Sequence, residues 1–257
     1  MDISQIKSEL DRKGYVVVPG VLNQDEVDKC LDWFGDWQKS IPDHDYQHDK
    51  LSPHGIYKFH QAGHQRHSWY IRTRPAVREV FEGLWGTKDL VVSFDGSCYM
   101  PKDMKKKDNI WTHTDQAPGK KGLHCIQGYV ALTTNEERTF VCYEGTHNIH
   151  EKYFADKGIE KGGDWQVIDK GTVGALHEYK RVVRVEAGSL VLWDSRVFHQ
   201  NQYGKPGSEE RIVQYVCYLP KNHVKNTLTT RAKRQKYFEE RRTTSHWPCP
   251  IKVNGLQ

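Results

Sequence analysis

Apolar and polar positions alternate with different rhythms in the two parts of the chain. Residues 3–13 read as a short helix that Gly14 stops. The run Tyr15-Val16-Val17-Val18 is rich in β-branched residues and ends at Pro19-Gly20, which predicts a strand. Asn23 then offers an N-cap with Glu26 three residues on, and Leu22 and Val27 suit the flanking hydrophobic staple. Val27, Cys30, Leu31 and Phe34 recur at i, i+3, i+4 and i+7, so a second helix follows with one core-facing side. From residue 89 the pattern is that of strands, at 89–94, 97–100, 124–132, 139–143, 181–186, 189–194 and 211–219. Helices followed by many short strands predict a mainly β chain with flanking helices, built as an antiparallel barrel or double-sheet jelly roll.

No repeat, low-complexity tract or Pro- or Gly/Ser-rich linker divides the 257 residues. One domain over 1–257 is therefore expected: a helical support with a His-rich loop (1–88), a β core (89–220) and a basic extension (221–257). Residues 41–75 hold six histidines, His44, His48, His54, His60, His64 and His67, at spacings that fit no metal-ligand template. A surface loop or lid is expected there.

The 29 aromatic residues, 8 Trp, 13 Tyr and 8 Phe, supply enough apolar surface for a sizeable core. No apolar run approaches the ~18–20 residues of a membrane span, and the first residues lack the apolar stretch of a secretory signal. The six cysteines include no Cys-x-x-Cys pair, and several lie in apolar runs. Reduced thiols in a cytoplasmic protein are expected, with no membrane partner. The net charge of +5 is uneven, because residues 221–242 carry eight Lys/Arg against Glu239 and Glu240. Such a run is most simply a solvated helix face.

The first candidate chemistry is His113-Thr114-Asp115. Side chains at i and i+2 of an extended strand share a face, so imidazole and carboxylate can grip one ion. With 14 His in a chain of this length, about one His-x-Asp triplet arises by chance, so the motif needs support. Support comes from residues 185–201, which read as strand, Gly188 turn and apolar strand, with His199 at the exit. Two His and one carboxylate form the facial triad that leaves positions open on Fe(II). Twelve residues on, Arg211 opens the apolar run IVQYVCYLP. A guanidinium in such a strand needs a carboxylate, supplied either by a dicarboxylate cosubstrate or by an Asp or Glu across the barrel.

These blocks together resemble the phytanoyl-CoA dioxygenase family of Fe(II)/2-oxoglutarate-dependent oxygenases. GYVVVPGVLNQDEVDKC is similar to the family's opening strand and helix, and His113 and Asp115 to its first two metal ligands. Tyr129-Val130-Ala131-Leu132, then Arg138 to Val141, leads to Glu144-Gly145-Thr146-His147, which resembles a Pro-Gly-Ser-His-type turn with Glu144 and Thr146 as departures. Residues 187–193, His199 and Arg211 match the distal ligand and the cosubstrate arginine. The resemblance implies a distorted double-stranded β-helix, jelly-roll and cupin-like. It implies Fe(II) on His113, Asp115 and His199, the far carboxylate of 2-oxoglutarate on Arg211, O2 as oxidant, and succinate and CO2 as products. Related halogenases have a small residue in place of Asp115, so the carboxylate implies hydroxylation or another oxidation. Asn201, Tyr99 and Gln127 are further candidate cosubstrate contacts. His147 is expected to fix its turn, His150 to lie at the surface, and Trp111 and Trp193 to belong to the core.

The substrate class that follows is a small molecule. Lys102, Lys105, Lys106 and Lys107, with the basic segment, favour an anionic one. The alternatives are an oxygenase acting on protein or nucleic acid, and a barrel that binds metal or ligand without turnover. Against nucleic acid, no second arginine follows Arg211 at the spacing that alkylation-repair oxygenases carry.

Overall fold

The computed structural model describes residues 2–254. In chain order the elements are α1 (Ile3–Lys13), β1 (Tyr15–Val18), α2 (Gln24–Lys39), α3 (His44–Leu51), α4 (Arg66–Arg72) and α5 (Pro75–Trp85). Then come β2 (Leu90–Val92), β3 (Ser97–Met100), β4 (His113–Thr114), β5 (Ile126–Ala131), β6 (Phe140–Tyr143), α6 (His150–Asp156) and β7 (Gln166–Val167). The last are α7 (Lys170–Ala175), β8 (Lys180–Val182), β9 (Leu190–Asp194), β10 (Phe198–Asn201), β11 (Arg211–Pro220) and α8 (Leu228–Glu239).

Local chemistry explains the opening. Asp2 accepts from the backbone N–H groups of Ser4 and Gln5 at the start of α1, and Gly14 ends it in the left-handed region at φ 84°. Asn23 and Glu26 close a reciprocal capping box on α2.

Two antiparallel sheets form the β core. One runs β1-β9-β5-β11-β2, with β3 also paired to β11; the other runs β7-β4-β10-β6-β8. Strand alternation sorts the side chains. Cys98, Met100, Tyr129, Ala131, Val191, Trp193, Val213 and Tyr215 point between the sheets, where they meet Phe140 and Cys142. Val130, Leu190, Leu192, Ile212, Val216 and Tyr218 point to the other side and pack on α1, α2, α4 and α5. The mainly β jelly-roll architecture with flanking helices is therefore present. Among the described residues no helix is long and apolar enough to cross a membrane, and all six cysteines are buried and unpaired.

Two sequence expectations are corrected. Residues 41–75 are largely helical and partly buried, because they cover the outer face of β3. His48 Nε2 donates to the Tyr99 carbonyl (2.9 Å), and His67 lies 3.1 Å from Ser97 Oγ with no exposed surface. His150 is buried, its Nε2 donating to the Gln116 carbonyl at 3.1 Å. Within the basic segment, α8 is the solvated helix expected, with Thr230 its one buried residue. After α8 the chain returns to the barrel, where Thr244 bridges both Asp95 and Val253.

Candidate active site

Register brings the two predicted histidines together. β10 pairs with β4 so that His199 stands opposite His113, and the ring centroids are 4.4 Å apart. Asp115 follows on the same face as His113. Its Oδ1 lies 3.5 Å from His113 Nε2 and its Oδ2 3.5 Å from His199 Nε2. One ligand atom from each of the three falls within 4.8 Å of the others, and all three residues are buried.

The hydrogen bonds set the donor set up for a cation. His113 Nδ1–H donates to the Trp111 carbonyl (3.2 Å) and His199 Nδ1–H to the Val197 carbonyl (3.0 Å). A carbonyl can only accept, so each ring carries its proton on Nδ1 and turns an Nε2 lone pair toward Asp115. Burial, with His199 alongside, pushes His113 down to about 3 and keeps it neutral. Although burial pushes it up, the Asp115 carboxyl is held below the usual carboxylate range and is ionised. Two neutral imidazoles and one carboxylate fit Fe(II).

The triad opens on a cavity of about 630 Å³. Its walls are aromatic: Trp111, Phe140, Trp165, Trp193 and Trp247 all line it. His54 stacks on Trp111 at 3.6 Å, and Trp111 stacks on His113 at 4.9 Å. Trp111 and Trp193, expected as core, are thus cavity walls as well.

Arg211 is fully buried on β11 behind the cavity wall, with its Cζ 5.2 Å from the ring centroid of Tyr129, which lines the cavity. Its Nη1 donates to Cys98 Sγ at 3.2 Å, while Nε and Nη2 have no partner among the described residues. Among the described residues no carboxylate pairs with it, so the cross-barrel ion pair left open by the sequence does not form. Asn201 sits nearby, its Nδ2 donating to Tyr215 Oη at 3.1 Å, and both line the cavity.

The other two candidates lie elsewhere. Tyr99 is corrected outright: alternation along β3 sends Cys98 and Met100 inward and Tyr99 outward, where its ring meets Phe34, His44 and His48. Gln127 does line the cavity, but it pairs with Cys217, six residues along β11 from Arg211.

Sequence reasoning missed the C-terminal return. His246 lines the cavity with Nδ1 3.0 Å from Asp95 Oδ2, and Trp247 Nε1–H donates to the Asp115 carbonyl at 3.2 Å. The signal was the apolar character of Trp247-Pro248-Cys249-Pro250, which a solvated tail would not carry. His147 behaves as expected, its Nε2 donating to the Asp11 carbonyl and tying its turn to α1.

The sequence pattern described as Phytanoyl-CoA dioxygenase (PhyH) matches residues 10–202. The chain belongs to the phytanoyl-CoA dioxygenase family. It is accordingly an Fe(II)- and 2-oxoglutarate-dependent oxygenase, and the donor set just described suits that metal. A curated relative is Ava biosynthesis cluster protein O of Aspergillus versicolor, 26% identical over 269 residues, covering 94% of this chain and 85% of that protein. Two solved structures share the fold at 17% identity. The epimerase SnoN, described in complex with Fe3+, alpha ketoglutarate and nogalamycin RO, matches with a TM-score of 0.56 over 85% of this chain and 83% of its own. EctD from S. alaskensis, described with 2-oxoglutarate and 5-hydroxyectoine, matches with a TM-score of 0.58 over 86% and 76%.

Proposed function

We propose that this family member hydroxylates a small molecule, with His113, Asp115 and His199 holding Fe(II) and Arg211 holding the far carboxylate of 2-oxoglutarate. The observation that carries the assignment is Arg211: a buried guanidinium with two nitrogens unpartnered among the described residues, against Tyr129 in the wall of the cavity on which the triad opens. A dicarboxylate satisfies it through a charge-assisted, two-pronged contact. When bound, the iron supplies O2 activation, with 2-oxoglutarate as the electron donor that leaves as succinate and CO2.

The chain's own residues do the positioning. The Trp111 and Val197 carbonyls fix the two imidazoles, and Trp247 fixes the backbone of Asp115. Tyr215 and Asn201 form a hydrogen-bonded pair in the cavity wall, and the aromatic walls exclude water from the reacting groups. The substrate is taken against the aromatic walls, where Trp165 stands exposed. An anionic group on it would meet Lys58 and Lys252, which reach the cavity wall, whereas Lys102, Lys105, Lys106, Lys107 and α8 do not line it. Unpaired cysteines support a cytoplasmic setting, and the return of the C-terminal segment onto the barrel supports one domain.

The test is anaerobic. Fe(II) and 2-oxoglutarate added to metal-free protein produce the weak visible charge-transfer band of the chelate. The band weakens in Arg211→Ala and vanishes in His199→Ala. A folded wild type that gives no band overturns the assignment, and loss of salt sensitivity in turnover removes the anionic substrate.

A further inference from the structure

A second group of unsatisfied polar atoms lies in the cavity wall beside the metal ligands, six residues along the β11 ladder from Arg211. Gln127 is fully buried, and among the described residues neither its Oε1 nor its Nε2 has a partner. Directly across the β5–β9 ladder stands Trp193, whose Nε1–H is also buried without an acceptor. The Trp193 ring lies 5.5 Å from the His199 ring, which sets the pair beside the metal ligands. On a third side, 6.2 Å from the Trp193 ring, is His246. Asp95 holds its Nδ1, which leaves Nε2 as the nitrogen open to the cavity.

Leaving a buried amide donor or acceptor unpaired costs about 1–3 kcal/mol per group. Residues with this cost persist in a cavity wall when an occupant satisfies them. The chemistry of the occupant follows from the atoms. A carboxamide presents one donor and one acceptor side by side, and its complement is an edge of the same kind. A carboxylate would satisfy Gln127 Nε2 and Trp193 but set a negative oxygen against Gln127 Oε1. A hydrocarbon would satisfy none of them. The walls next to this edge are flat and aromatic, and Trp165, 53% exposed at the rim and 5.4 Å from the His113 ring, is open to receive more of the molecule.

We propose that the oxygenase recognises its substrate through a flat, uncharged amide or lactam edge, read by Gln127 and Trp193 beside the metal. The proposal rests on the cavity being the substrate site of the oxygenase, and its test separates the two. His246 belongs to a segment outside the stretch that matches the family, residues 10–202, and it adds a further hydrogen-bonding nitrogen near that edge.

The probe is 2-quinolone, a planar lactam, titrated calorimetrically into the anaerobic Fe(II)- and 2-oxoglutarate-loaded protein. Quinoline and 2-naphthoate serve as flat controls without the lactam edge. The expected result is binding of 2-quinolone about tenfold or more tighter than either control. Gln127→Met, similar in volume but without donor or acceptor, brings the three affinities together while the chelate band stays. Trp193→Phe, which keeps an aromatic ring and loses the N–H, weakens 2-quinolone severalfold. Equal or tighter binding of a control, no binding by any probe, or an unchanged preference in folded Gln127→Met overturns the proposal. So does loss of the band in that variant, which would place Gln127 on the cosubstrate. Absence of the band in the wild type with the lactam preference intact would instead sink the oxygenase assignment alone.

Discussion

His113 and His199 face one another across a single pair of the β4–β10 ladder, their ring centroids 4.4 Å apart, with each Nδ1 donating to the carbonyl two residues before it. The backbone therefore orients both rings before any metal arrives, and the site needs little reorganisation to bind.

Metal addition is the first consequence. Fe(II), or Mn(II) as a redox-stable substitute, should raise the thermal midpoint, because the ion binds the folded donor set. At a hundredfold excess over the dissociation constant the gain is about 2.7 kcal/mol. Asp115→Ala should abolish the shift, as differential scanning fluorimetry with and without metal would show. An equal shift in that variant would place the metal elsewhere.

Arg211→Met separates a functional charge from a structural one. The wild-type guanidinium is buried with no carboxylate partner, so replacing it with an apolar chain should leave the thermal midpoint of the free protein unchanged or higher. Affinity for 2-oxoglutarate should fall on the order of a hundredfold, as expected for the loss of charge-assisted hydrogen bonds. A folded variant that binds 2-oxoglutarate as tightly as the wild type would reverse the assignment.

Trp247→Phe keeps a ring beside Asp115 and removes the N–H bound to its carbonyl. Loss of such a supporting contact typically weakens metal affinity by about 10–100-fold. Competition with a chelator gives the number, and unchanged affinity would show that the indole only packs.

Acid should weaken the fold through its buried histidines. Burial pushes His67 down to about 3 and His48 to about 4, against an unfolded value of 6.5. Between those values the unfolded chain binds protons that the folded chain refuses, so stability falls as pH drops below about 6.5 and rises on return. At pH 5 His67 alone accounts for about 2 kcal/mol. Urea midpoints measured from pH 7.5 to 5 test this, and His67→Gln should flatten the slope. A midpoint constant over that range would contradict it.

Much of this site could be read from the chain itself because its parts obey local rules. The β-branched run at 15–18, the capping box of Asn23 and Glu26, and the alternation of β5, β9 and β11 each carry a signal within a few residues. His113 and Asp115 share a face by the period of a strand, and His199 and Arg211 stand out against apolar neighbours. The rest is set by distant partners. β4 and β7 have only two residues each, too few for alternation to appear, and they exist because β10 and each other pair with them. Tyr99 was misplaced because a four-residue strand does not announce which face is inward. The buried histidines of 44–67 look polar in sequence, and only the outer surface of β3 turns them into core. His246 and Trp247 reach the site through a return that passes beyond α8, which no local pattern encodes.

That return makes the last described stretch of the chain a working part of the catalytic chamber. A protein fused close behind Asn254, or a purification handle placed there, would sit next to a residue that lines the cavity. Activity assays on such material would report on the handle as much as on the enzyme, so the opposite terminus is the one to tag.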